Sequence, residues 1–146
     1  MLKGIPMVLS PALLETLAEM GHGDTITLGD AYFAAASMAK TNRQLRADGV
    51  SSTVLLDAIL QLLPLDEWTA SSVTVMGRED ESGKILPTKM SEQYRTIIEK
   101  YDPKAAATMT YVGRFPFYDL ARKSFAVLAT GEVENFGCII LQKGIR

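Results

Sequence analysis

The sequence predicts an α/β fold of the three-layer α/β/α kind, with a mainly parallel mixed sheet and helices on both faces. Three observations carry it. Apolar residues recur at helical spacing in several segments, short strand-like runs alternate with those segments along the chain, and Gly, Pro and Asp-Gly signals fall between them. A chain of 146 residues makes one ordinary domain, read here as residues 1–146, that can bury roughly two thirds of its unfolded surface.

Ser10 is a plausible N-cap with Pro11 in the first turn, and Leu13, Leu14, Leu17 and Ala18 then form an apolar stripe that stops at Gly21. Residues 25–30 alternate polar and apolar as a half-buried strand does, leaving Asp30 at its C-terminal end. Ala31 to Lys40 is less regular. Asp48-Gly49 signals a turn, Ser51 or Ser52 can cap a second helix carrying Val54, Leu55, Ala58, Ile59, Leu62 and Leu63, and Pro64 ends it. Val73 and Val75 mark a strand within 72–77, and Arg78 to Lys84 reads as an exposed loop. Pro87 opens a third helix with Met90, Tyr94, Ile97, Ile98 and Tyr101 on one core-facing side. A strand at 108–113, a short helix at 116–123 and strands at 125–130 and 138–142 complete the chain. The last two strands are close enough to pair antiparallel, or to be separated by an irregular crossover.

Composition removes several classes of function. Fifteen Lys and Arg against 17 Asp and Glu leave a formal net charge of −2, with no basic stretch to meet phosphates, so nucleic acid is a poor partner. No apolar run approaches the ~20 residues that span a bilayer and the first residues lack a secretion-signal core, which points to a cytoplasmic protein without a membrane partner. One cysteine and one histidine cannot build a thiolate and imidazole metal cluster, and no metal is expected. Dinucleotide, P-loop and serine-hydrolase motifs are missing.

The single histidine, His22, lies in Gly21-His22-Gly23-Asp24, between a helix-like and a strand-like segment. The flanking glycines let the chain turn sharply and strip away neighbouring side chains, so the ring can project from a corner toward a ligand. Imidazole titrates in the range useful for proton transfer near neutral pH. The plain alternative is a helix C-cap glycine followed by a solvated turn residue.

The run Leu-Ser-Pro-Ala-Leu-Leu-Glu-Thr-Leu-Ala-Glu-Met-Gly-His-Gly-Asp (9–24), with Asp30-Ala31 beyond it, resembles the opening of the fucose mutarotase and ribose pyranase family. Arg46-Ala-Asp-Gly49, Leu63-Pro-Leu-Asp66, Arg114-Phe-Pro-Phe-Tyr118, Phe125-Ala-Val-Leu-Ala-Thr-Gly-Glu132 and Leu-Gln-Lys-Gly (141–144) resemble further segments in the same order. The fucose branch is the nearer one, on the Arg-Phe-x-Phe-Tyr segment and the Ala-Thr-Gly-Glu turn.

The resemblance implies an isomerase that opens and closes the ring of a free monosaccharide, L-fucose or a related sugar, with no cofactor. It implies His22 as the general acid, Asp30 holding a sugar hydroxyl, Arg114 as the sugar-binding arginine, and Phe136, Gly137 and Cys138 at the substrate. It further implies a homo-oligomeric ring, commonly a decamer, with pockets near subunit boundaries. At 136–138 the fucose branch typically has Tyr-Gly-Asn, so a phenol and an amide are absent, and sugar preference is open to change. Tyr32 and Ala34 also differ from the family's usual Asn and Pro, and Tyr32 and Tyr118 are candidates for supplying the lost hydroxyl. Two other uses stay open: a non-catalytic or regulatory sugar-binding protein on this scaffold, and a ribose-type pyranose/furanose exchange.

Overall fold

The computed structural model describes residues 2–146. Its elements in chain order are α1 (Pro11–Glu19), β1 (Thr25–Gly29), α2 (Ala35–Met38), β2 (Arg43–Ala47), α3 (Ser52–Leu60), β3 (Val73–Met76), β4 (Arg78–Glu79) and β5 (Ile85–Leu86). They continue with α4 (Lys89–Glu99), α5 (Pro103–Ala107), β6 (Thr110–Val112), α6 (Arg114–Arg122), β7 (Ala126–Thr130) and β8 (Ile139–Gln142). Six strands form the main sheet in the order β2-β7-β1-β8-β3-β6, and β4 and β5 form a separate two-stranded hairpin.

β2, β7 and β1 pair in parallel, as do β3 and β6, while β8 runs antiparallel to both of its neighbours, β1 and β3. Five strands therefore point one way and β8 the other. The two C-terminal strands do not pair with each other. β1 lies between them, and residues 131–138 make the irregular crossover that the sequence left as one of two options.

Strand alternation divides the core in two. Ile26, Leu28, Val73, Val75, Ala126, Leu128, Ile139 and Leu141 face a large cluster built from α1, α3, α4 and α5. Val127, Ala129, Cys138, Ile140 and Met76 face a smaller cluster with Phe33, α2 and α6. Helices thus cover both faces, as the expected layering requires. Among the described residues no helix is long and apolar enough to cross a membrane.

Local chemistry sets the helix boundaries. The Ser10 hydroxyl accepts the Leu13 N–H at 3.2 Å ahead of Pro11. Ser51, rather than Ser52, caps α3 by accepting the Val54 N–H, and Ser52 is buried. Thr88 and Ser91 form a reciprocal capping box, so α4 starts at Lys89, two residues beyond Pro87. It ends at Glu99, leaving Tyr101 outside the helix and exposed.

Four features depart from the expected elements. The strand β2 was hidden because Arg43-Gln-Leu-Arg-Ala47 lies at the sheet edge and buries only Leu45 fully, so it carries no apolar alternation. The four-residue α2 occupies part of the irregular stretch. The Arg78–Lys84 loop is instead the first strand and turn of the β4–β5 hairpin, where the Asp80 carboxylate accepts from Ser82 N–H, Ser82 O–H and Lys84 N–H. Those hydrogen bonds lower the Asp80 carboxyl below its ordinary value. Finally, α6 begins at Arg114, two residues before the expected 116, because Gly113 occupies its N-cap.

The exit from β7 is fastened to the turn after β2 by the Gly131 N–H, which donates to the Val50 carbonyl at 2.8 Å. A Cβ on Gly131 would fall 2.6 Å from the Gly49 nitrogen and 2.7 Å from its Cα, both backbone atoms that cannot rotate away. Gly131→Ala is therefore expected to destabilise the fold by about 1–3 kcal/mol, read as a lowered urea midpoint with an unchanged slope.

Candidate active site

The carboxyl ends of the five parallel strands share one edge of the sheet, and the antiparallel β8 begins at that same edge. Asp30 follows β1 directly and is 7% exposed. Its Oδ1 accepts the Tyr32 N–H at 3.0 Å, and its Oδ2 accepts the Gly137 N–H at 3.2 Å and the Cys138 S–H at 3.5 Å. An ionised carboxylate offers about four lone-pair directions. Three are used from within the chain, which fixes the group and leaves acceptor capacity facing the cavity.

Phe136, Gly137 and Cys138 arrive from the β7–β8 crossover. Phe136 is the only non-glycine with a positive φ among the described residues, at 63°, a left-handed conformation that costs roughly 1–3 kcal/mol. Gly137 is required by space: a Cβ there would meet the Glu132 Cγ at 2.7 Å and the Asp30 Cβ at 3.1 Å. Cys138 is fully buried, and burial first, then the neighbouring Asp30 carboxylate, pushes its thiol well above the ordinary range. The sulfur is thus a neutral donor toward Asp30 and a poor nucleophile.

Arg114 opens α6 just after β6. A cation in a first turn opposes the helix dipole. Here the guanidinium is held by other means: its Nε donates to the Tyr118 hydroxyl at 2.9 Å, and its carbon lies 5.3 Å from the Tyr118 ring centroid and 5.5 Å from that of Phe115. Its two Nη groups make no hydrogen bond among the described residues, and they remain as the polar end of a cavity of about 310 Å³. Asp30, Arg114, Phe136 and Cys138 line this cavity together with Tyr32, Tyr118 and an apolar floor of Phe33 and Met76. Tyr32 and Tyr118, the two tyrosines considered for the missing phenol, thus both line this cavity.

His22 is not among these residues. It lies on the predicted helix-to-strand corner, but before β1, whereas Asp30 follows it. The four residue steps from Thr25 to Gly29 alone span about 13 Å, so one chain does not bring His22 together with Asp30 and Arg114. Within one chain His22 and the cavity therefore lie at opposite edges of the sheet. The physical reason is simple: a strand separates its two ends.

The corner is tightly braced. Gly21 N–H donates to Asp24 Oδ2 at 2.7 Å, Gly23 N–H to the Lys143 carbonyl at 2.8 Å, and Lys143 N–H to the Asp24 carbonyl at 2.8 Å. Gly23 has φ 87°, a conformation that other residues rarely adopt. The Lys143 ammonium donates to the Leu17 and Met20 carbonyls at the end of α1, where positive charge suits the helix dipole. The His22 ring is 37% exposed, and its Nε2 lies 3.2 Å from Asp66 Oδ1.

Two groups of buried polar residues were not singled out by the sequence reading. One is Asp66 at the His22 edge. The other lies behind Asp30, where Tyr94 O–H donates to Ser52 Oγ at 2.6 Å, Ser52 O–H donates to Glu132 Oε2 at 3.0 Å, and Glu132 Oε1 accepts the Glu134 N–H at 3.0 Å. Burial, partly offset by the Ser52 contact, raises the Tyr94 phenol far above its ordinary range. Since Glu132 packs beside Gly137, this chain sets the path of the crossover into the cavity. Tyr94 sits on an ordinary core stripe and Ser52 beside an N-cap, so nothing in their spacing separates them from structural residues. Both acids do lie in segments that carry the family resemblance.

An α/β sheet with a polar and aromatic cavity at the carboxyl ends of its parallel strands defines a class of small-molecule-binding proteins. Within that class, the chain belongs to the RbsD / FucU transport protein family, whose model matches residues 3–146. It is 46% identical over 145 residues to the fucose mutarotase of Mus musculus, covering 98% of this chain and 94% of that protein. The structure is similar to that of the fucose mutarotase of Streptococcus pneumoniae in complex with L-fucose, with a TM-score of 0.86, 44% identity and 99% of both chains covered. It is also similar to FucU from Bifidobacterium longum, with a TM-score of 0.90, 36% identity and 99% of both chains covered.

The state of Cys138 gives a direct check. An aromatic disulfide reagent at neutral pH is expected to modify the native protein far more slowly than the urea-unfolded chain, with a saturating sugar slowing it further. Native and unfolded protein reacting at the same rate would contradict the burial of this thiol.

Proposed function

We propose that this protein interconverts the α and β anomers of L-fucose in the cytoplasm, acting on the free sugar without a cofactor. The observation that carries the reading is a cavity of monosaccharide size joining a fixed carboxylate, a free guanidinium fork and aromatic faces, in a chain 44% identical to a fucose mutarotase solved with L-fucose. Asp30 has a lone-pair direction left for a sugar hydroxyl, a charge-assisted bond stronger than one between neutral partners. The Nη groups of Arg114 can donate to two neighbouring oxygens. Phe136, Tyr118 and Phe33 supply apolar surface for the C–H face of the ring.

Ring opening needs a proton on the ring oxygen while the anomeric hydroxyl gives one up. The bond from C1 to the ring oxygen breaks, an open-chain aldehyde forms, C1 rotates, and the reverse transfers close the ring on the other face. Nothing is oxidised or reduced. His22 is the general acid in this reading, and because it occupies the opposite edge of its own sheet, a second copy of the chain supplies it to each pocket. Exposed apolar side chains lie near both edges, Tyr32, Phe115 and Val133 toward the cavity and Trp68 beside His22. A contact that joins one edge to the other is head-to-tail, and head-to-tail contacts form a ring, a decamer in this reading, when the rotation between successive copies closes. The replacement of a phenol and an amide at Phe136 and Cys138 supports a second reading, a sugar-binding protein that has lost turnover.

Saturation transfer between the two anomeric proton resonances is expected to be faster with protein than in buffer for L-fucose within a panel of sugars that includes D-ribose. His22→Ala is expected to lower that rate about 10²- to 10⁴-fold while calorimetry still shows sugar binding. Binding with exchange at the buffer rate favours the non-catalytic reading, and acceleration of ribose ring exchange alone favours the pyranase one. Light scattering should report an oligomer at micromolar concentration; a monomer would remove the shared pocket.

A further inference from the structure

We propose that Glu132, Ser52 and Tyr94 set sugar affinity from outside the cavity, as positioning residues that hold the 131–138 crossover with Phe136 and Cys138 against Asp30. The proposal rests on the sugar-binding reading of that cavity and deepens it. None of the three lines the cavity. They form one buried chain behind it, from the Tyr94 hydroxyl on α4 through the Ser52 hydroxyl on α3 to Glu132 Oε2, with steps of 2.6 and 3.0 Å. Every polar atom of Glu132 has a partner. Its N–H donates to Thr130 Oγ1 at 3.2 Å, its carbonyl accepts the Ala31 N–H at 2.8 Å, and its Oε1 accepts the Glu134 N–H at 3.0 Å. One residue thus ties Ala31, next to Asp30, to the crossover and to two helices.

The crossover needs such a clamp because it holds a conformation that it would otherwise leave. The left-handed torsion of Phe136 persists only where its surroundings over-determine it. A return of that residue to negative φ turns the Gly137 N–H and the Cys138 S–H away from Asp30 Oδ2, and the carboxylate loses the donors that aim it at the sugar. Glu132 stands against that movement. Its Cγ lies 2.7 Å, and the Asp30 Cβ 3.1 Å, from the point where a Cβ on Gly137 would fall, so the two acids and the glycine pack as one unit. Lys89 on α4 adds a tie at the surface, its Nζ 3.1 Å from Glu134 Oε2, but both partners are exposed and such a pair contributes little. The buried chain does the holding. Ser52 is the first residue of α3, so the Glu132 carboxylate also meets the positive end of a nine-residue helix, which offsets its charge without a cation. Burial raises the Tyr94 phenol far above its ordinary range, and the hydroxyl therefore stays a donor to Ser52 at neutral pH.

The test is Ser52→Ala in the full chain, with Tyr94→Phe and the double variant beside it. Ser52→Ala removes one oxygen and leaves Glu132 Oε2 and the Tyr94 hydroxyl without their shared partner. The expected result is a KM for L-fucose anomer exchange raised about 10- to 50-fold, with kcat within about threefold of wild type. Tyr94→Phe is expected to raise KM about 3- to 10-fold, and the double variant to match Ser52→Ala, because Tyr94 acts through Ser52. The Cys138 thiol reports the crossover without any sugar. Its reaction with an aromatic disulfide reagent is expected to quicken about 10-fold or more beyond the change in unfolding constant read from urea melts. A wild-type KM in Ser52→Ala overturns the proposal, as does a loss confined to kcat. A raised KM beside an unchanged thiol rate overturns it too, since the crossover has then not moved, and effects of the two substitutions that multiply break the link between Tyr94 and Ser52. If Ser52→Ala does not fold, Tyr94→Phe, which keeps its ring in the core, decides by the same KM and thiol readings. A wild-type protein that binds no sugar removes the sugar reading and the affinity claim with it, while the thiol rate still decides whether these residues hold the crossover.

Discussion

The arrangement depends on one strand that runs the wrong way. β8 enters the middle of an otherwise parallel sheet and hydrogen-bonds to β1 on one side and β3 on the other. Its leading end carries Cys138 to the Asp30 carboxylate, and its trailing end carries Gln142 to Asp66 and Lys143 to the Gly21–Asp24 corner. A parallel strand in the same slot would have needed a long crossover to return to the other edge. The short irregular passage at 131–138 suffices because it turns back at the edge where β7 ends, and it lines the cavity on its way.

This geometry explains why the polar groups of the site are so well satisfied. The Asp30 carboxylate is held by two backbone N–H groups and a thiol, and Glu132 by a hydroxyl and a backbone N–H, so neither buried charge depends on a counter-ion within hydrogen-bond range. A carboxylate fixed by such donors keeps its acceptor direction without an ion pair to hold it. Arg114 is held by aromatic faces and one phenol and not by a carboxylate, so its fork is likewise uncommitted. The site is preorganised on the acid side by backbone donors and on the base side by π surface.

Much of this was legible in the chain itself. Ser10-Pro11 and the Leu13 to Leu17 stripe specify α1, the alternation of 25–30 specifies β1 and puts Asp30 at its end, and the apolar runs at 125–130 and 138–142 specify the two C-terminal strands. Patterning failed where burial does not produce a pattern. Arg43–Ala47 is an edge strand with mostly solvent-facing side chains, and the β4–β5 hairpin is held by an aspartate turn more than by apolar pairing. Strand order was beyond reach for a different reason: the choice between pairing β7 with β8 and inserting β1 between them is made by long-range packing. The site residues Asp30, Arg114 and 136–138 were identified by resemblance, and the sheet brings them together. The separation of His22 from them follows from strand length, which the sequence contained, and from chain direction, which becomes meaningful only once the cavity edge is known.

Phe136 joins the backbone shape of the crossover to the chemistry of its side chain. A left-handed residue at this point turns the chain so that the Gly137 and Cys138 donors aim at one carboxylate oxygen. Position 136 therefore meets two physical demands at once, a left-handed torsion and an aromatic face on the cavity. Glycine would suit the torsion but leave no ring, and valine or isoleucine would supply bulk while resisting the torsion. A flat, unbranched side chain meets both demands, and the substituents on its ring can vary without disturbing the turn that presents it.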